Sequence, residues 1–117
     1  MRTIEIISMP VTDQARAKAF YEKLGFAVVA EAPFGNGQQW IQMGFPGQDA
    51  CITLVNWFPK MPAGCMQGFI IKTESVEDDI KELTAKGIEV GKVDNTPWGK
   101  FLPFKDPDGN TLSLHEG

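Results

Sequence analysis

His115 is the sole histidine of this 117-residue chain, and it stands two residues after Ser113 in an alternating stretch at the C-terminal end. On a strand that spacing puts both side chains on one face. An imidazole beside a hydroxyl can take up or give a proton near neutral pH. No acid is positioned to complete a Ser/His/Asp relay, and Cys51 has neither a histidine nor a helix start beside it to activate its thiol. The glycines of Phe34-Gly35-Asn36-Gly37 lack the strand-to-helix setting and the lysine of a phosphate-cradling loop. Glu5 would join His115 only if the first strand slipped by one residue. Strand parity groups Glu5 instead with Ile7, Met9 and Val11, the set expected under a helix. Glu116 reads as a solvated charge.

Binding is better supported than turnover. Trp40 belongs to a strand whose alternate positions should face a cavity, while Phe34, Trp57, Phe58, Trp98 and Phe101 fall in loops or at strand ends. Planar ligands stack on such rings, each pair adding about 0.5–1.5 kcal/mol beyond area burial. Trp40 and Phe101 have the alternative of simply filling a core. Thr53, Ser113 and His115 would supply the few polar groups that orient a ligand in a mostly apolar pocket. Met43, Met61 and Met66, with Cys51, add a soft, adaptable lining or ordinary core filling. Lys72 and Lys100 can each meet an anionic ligand or lie on the surface.

These residues need elements to position them. A strand is expected over residues 4–9, then a helix capped by Asp13, with Ala17, Phe20, Tyr21 and Leu24 on one stripe and Gly25 ending it. Strands follow at 26–32, 38–44 and 50–56. The plan then repeats: a strand at 67–73, a helix opened by Ser75 and Asp78 with Val76, Ile80 and Leu83 inward and Gly87 at its end, and strands at 88–93, 100–105 and 111–116. A shift of 62 residues lays Gly25 on Gly87, Phe26 on Ile88, Val28 on Val90, Gly47 on Gly109 and Ile52 on Leu114. The chain therefore reads as two copies of one β-α-β-β-β module. The last two strands are joined by Asp106-Pro107-Asp108-Gly109-Asn110, where proline presets φ, the aspartates accept from nearby amides and Gly109 takes a positive φ. Residues 57–64, with two prolines and a glycine, read as a connector.

Composition sets the outer bounds. With 43% hydrophobic and 22% charged residues, the chain fits one globular domain with a real core. A net charge of −4 weighs against nucleic acid or an anionic membrane surface as partner. No apolar run approaches the roughly 20 residues that span a bilayer, and Met1-Arg2-Thr3 leads toward a strand rather than a signal peptide. Two cysteines are too few for a disulfide scaffold, so both are expected as free thiols in a reducing cytoplasm.

The paired modules, Val11-Thr12-Asp13 followed by Phe20-Tyr21-Glu22-Lys23-Leu24-Gly25-Phe26, and Trp98-Gly99 ahead of Asp106-Pro107-Asp108-Gly109-Asn110 resemble the vicinal oxygen chelate superfamily. That group includes glyoxalase I, extradiol dioxygenases, fosfomycin resistance enzymes and bleomycin resistance proteins. The resemblance implies an α+β fold of two βαβββ modules forming a glyoxalase-like, cavity-enclosing curved sheet: one domain over 1–117, with module one at 1–56, a connector at 57–66 and module two at 67–117. It also implies a homodimer. In metal-dependent members, side chains from the first and last strand of each module hold a divalent ion that polarises a chelating substrate. The matching positions here are Ile6, Gly68, Ser113 and either Cys51 or Thr53. That set is unlike a catalytic site built from His, Cys, Asp or Glu. The expectation is a cofactor-free, metal-free binding protein, a sequestering protein rather than an enzyme. It would hold a small apolar or aromatic ligand against Trp40, Thr53, Trp98, Phe101, Ser113 and His115. The alternatives are a metal-dependent lyase or dioxygenase with Glu5, His115 and Glu116 as displaced ligands, and a dimeric interaction module.

Overall fold

The computed structural model describes every residue except Phe34, so the role expected for that ring lies outside the described residues. The first half folds as β1 (Ile6–Pro10), α1 (Gln14–Lys23), β2 (Ala27–Pro33), β3 (Gln39–Gly44) and β4 (Cys51–Val55). The second half repeats it as β5 (Phe69–Lys72), α2 (Val76–Ala85), β6 (Asp94–Thr96), β7 (Gly99–Lys105) and β8 (Thr111–Glu116). Each half makes a four-stranded sheet of one topology, β1-β4-β3-β2 and β5-β8-β7-β6. Within each sheet the first and last strands run parallel, and the other pairs are antiparallel.

Both helices start as their caps dictate. The Asp13 carboxylate accepts from the Arg16 amide at 3.1 Å, and the Ser75 hydroxyl from the Asp78 amide at 3.2 Å. Glu116 is not the solvated charge expected from sequence. Its Oε1 accepts from the Val76 amide at 2.8 Å, so a carboxylate from the end of β8 satisfies one orphan donor at the positive end of α2.

The repeat is real, with a changed offset. Phe69 lies 62 residues after Ile7, yet its ladder partner Leu112 lies only 60 after Ile52, the partner of Ile7. The β3–β4 turn is longer than the β7–β8 turn. Thr53, rather than Cys51, is thus the structural counterpart of Ser113: Thr53 lies between Ser8 and Gln42, and Ser113 between Ile70 and Pro103.

The strand expected over 88–93 does not form. That stretch contributes a single bridge, Val90 to Phe104, and a short strand begins only at Asp94. Pro103 explains it. Its carbonyl accepts from the Gly91 amide at 2.8 Å, so the edge facing this segment is where proline lacks an N–H, and the ladder cannot continue.

One core joins the halves. Met9, Ile41, Met43, Ile52 and Leu54 from the first sheet meet Leu102, Phe104, Leu112 and Leu114 from the second, with Phe20 and Tyr21 of α1 and Val76 and Leu83 of α2 closing over them. Full burial of side chains of this size stabilises by about 1.5–3 kcal/mol each. The β7–β8 turn is stitched into this junction. Asp106 Oδ1 accepts from the amides of Asp108 and Asn110, both at 2.9 Å, and its Oδ2 from the Tyr21 hydroxyl at 2.7 Å and Asn110 Nδ2 at 2.8 Å. Asn110 also donates to the Pro10 carbonyl at 2.8 Å, and its side-chain oxygen accepts from the Met66 amide at 3.0 Å. Asp108 turns away from its own loop and accepts from the Thr12 amide and hydroxyl and from Arg16.

Candidate ligand-binding site

The sheet faces turned away from the core carry the site residues expected from sequence. On β8, Ser113 and His115 alternate with the buried Leu112 and Leu114, so both point to the coreless face. His115 is flanked by Lys72 on β5 and by Phe101 on β7. The imidazole stacks on the Phe101 ring with centroids 4.4 Å apart and planes 13° from parallel. Its Nε2 lies 3.0 Å from the Trp98 carbonyl, and because a carbonyl only accepts, that nitrogen is the donor.

Trp98 sits in the tight link between β6 and β7, its side chain open to solvent with the residue 76% exposed. Gly99, at φ +128°, lets this link lie against the chain end: a Cβ there would stand 2.2 Å from the Glu116 carbonyl oxygen. Ile70, 56% exposed, lies beside Ser113 on the same face. Phe101 and His115 thus form a stacked pair, with Ser113 two residues back along β8 on the same face; Trp98 joins the pair through its backbone carbonyl, while its ring stands open to solvent. Trp40 and Thr53 belong to the other sheet. Thr53 is 1% exposed, and Trp40 Nε1 donates to Gln42 Oε1 at 3.3 Å. The six residues therefore make two patches, one per sheet. Lys100 turns to the opposite face, where its Nζ lies 3.9 Å from Glu77 of α2.

Ile6 carries no donor atom and Gly68 no side chain, and among the described residues no three His, Cys, Asp or Glu side chains cluster. The displaced set fares no better. His115 and Glu116 leave β8 on opposite faces, and the Glu116 carboxylate is held by the α2 amide. Glu5 is exposed ahead of β1, where its carbonyl accepts from Cys51. These residues do not fit a resident divalent ion. Both cysteines are free thiols, Cys51 buried and Cys65 exposed.

Two concavities were not read from the sequence. One, of about 720 Å³, runs between α1 and β7; the other, of about 560 Å³, opens between the edges of β1 and β5 and is lined by Phe26, Phe45, Ile71 and Leu114. Both arise where the halves dock, and no local pattern encodes that relation. No helix among the described residues is long and apolar enough to cross a membrane.

Comparison with known proteins places this architecture. The Glyoxalase/Bleomycin resistance protein/Dioxygenase superfamily matches residues 3–114, and the chain belongs to that family. Its fold is similar to the crystal structure of TnmS3, an antibiotic binding protein from Streptomyces sp. CB03234, at 39% identity and a TM-score of 0.93 over 99% of this chain and 96% of that one. It is also similar to a glyoxalase/bleomycin resistance protein from the same organism, at 40% identity and a TM-score of 0.86 over 97% of this chain and all of the other. An uncharacterized protein of Bacillus subtilis (strain 168), YetH, is 30% identical over 99% of both chains.

Proposed function

We propose that this protein binds and sequesters a planar apolar or aromatic small molecule, of the kind an antibiotic presents, without a metal ion or other cofactor. The observation that carries the reading is the Phe101–His115 stack, with the exposed Trp98 in the adjoining β6–β7 link, on a fold shared with a 39%-identical antibiotic-binding protein. Sequestration asks for stacking surface and a few orienting polar groups, not for transition-state chemistry. Phe101 and Trp98 supply the surface, and Ser113 and His115 the polar groups; Thr53, buried in the first sheet, is not open to a ligand within one copy. The reading includes a single domain of two modules, 1–56 and 67–117 with the connector at 57–66, working in the cytoplasm as a homodimer. A homodimer suits the reading in one respect: Trp40 lies on a different sheet from Phe101 and His115, so a second copy would bring the two faces together around one ligand.

Intrinsic tryptophan fluorescence against a panel of planar antibiotics tests the reading. At least one compound should quench saturably, and Trp98→Ala should weaken that compound about tenfold, the loss expected for one well-buried stack. Absence of quenching and of thermal stabilisation across the panel would sink it. Sedimentation with and without the compound reports the dimer.

A further inference from the structure

The groove between α1 and β7 exists because Pro103 breaks the ladder, leaving the segment Gly87–Gly91 beside the sheet rather than joined along it. Its floor is apolar: the Phe20 and Phe104 rings, with centroids 6.3 Å apart, and Val90. Its lining carries three cations in an otherwise acidic chain, namely Arg16, Lys23 and Lys105. Arg16 is partly engaged, 3.3 Å from Asp108. Among the described residues, neither Lys23 nor Lys105 has an anionic side-chain partner. The groove's one exposed carboxylate is Glu89; that of Asp106 is buried and already accepts four hydrogen bonds.

We propose that this groove is a second ligand site, separate from the Phe101–His115 stack, and that it takes a soluble aromatic carboxylate or sulfonate of two or three rings. A body of that size suits a cavity of about 720 Å³. Rings bury against Phe20, Phe104 and Val90, while the anionic end meets Lys23 and Lys105. Charge complementarity selects the anion over its neutral counterpart, because two unpaired ammonium groups gain a partner only from the former. The proposal stands independently of whether the stack binds an antibiotic.

The probe is anilinonaphthalene sulfonate, whose emission rises in apolar surroundings, compared with the neutral phenylnaphthylamine. Replacing both lysines, Lys23→Glu with Lys105→Glu, should weaken the sulfonate about tenfold and the neutral probe less than about twofold. Ala19→Trp, at an exposed helical position lining the groove, should weaken both probes by occlusion. Should the charge-reversed protein fold poorly, Lys23→Gln with Lys105→Gln gives the same ordering at smaller size. The proposal is overturned if the sulfonate does not bind, if its affinity survives Ala19→Trp, or if charge reversal weakens both probes equally.

Discussion

Asp106 and Tyr21 show how much one buried pair contributes beyond its hydrogen bond. Burial, then the negative charge of Asp106, holds the Tyr21 phenol well above its ordinary pKa of 10.0. The folded protein therefore keeps this proton to higher pH than the unfolded chain does. Stability from this source is whole below pH 10 and declines as pH climbs above it. Tyr21→Phe should flatten that alkaline decline in urea midpoints taken from pH 8 to 11. At neutral pH it should cost about 1–2 kcal/mol, since Asp106 keeps three of its four donors. An unchanged alkaline slope would show that other groups dominate. The aspartate-rich turn was legible in the sequence as a turn. Its bonding partners were not, because Tyr21 and Pro10 are separated from it by most of the chain.

Element boundaries were legible wherever a local signal exists. Asp13 and Ser75 cap the helices they were expected to cap, and β8 spans the stretch read from alternation alone. The failures were non-local. Residues 88–93 have strand composition, but the partner edge offers a proline. Glu116 looked like a free end charge until the docking of β8 against α2 gave it an amide to accept from. The second capping group can be measured. Ser75→Ala should lower stability by about 1 kcal/mol, and Glu116→Ala by a similar amount. Glu116→Gln, which keeps an acceptor oxygen and loses the charge, should fall between Glu116→Ala and the unaltered protein in urea unfolding. Equal losses for the two Glu116 variants would assign the effect to charge alone.

At the scale of the molecule, the core faces of the two halves merge, and Asn110 ties β1, Met66 and the β7–β8 turn together. Asn110→Ala removes a fully buried amide serving all three and should cost about 2–4 kcal/mol. Amides of β4 and β8 should lose hydrogen-exchange protection together in this variant. Loss confined to β8 would mean that the halves open separately. Sequence alone determined both helix caps and the outward parity of Ser113 and His115, since each follows from neighbours within a few residues; the duplicated module showed in a 62-residue shift, and the α+β class in the family resemblance. Ile6 and Gly68, at the positions where the resemblance implies ligands, offer no donor side chain whatever the packing. Only the tertiary structure decided that Thr53 is the counterpart of Ser113 in the other module, that Phe101 and His115 stack, that the expected binding residues divide between two sheets, and that a cation-lined groove opens beside Pro103. Those outcomes depend on ladder register and on how two modules dock, which are set by contacts between residues far apart in the chain.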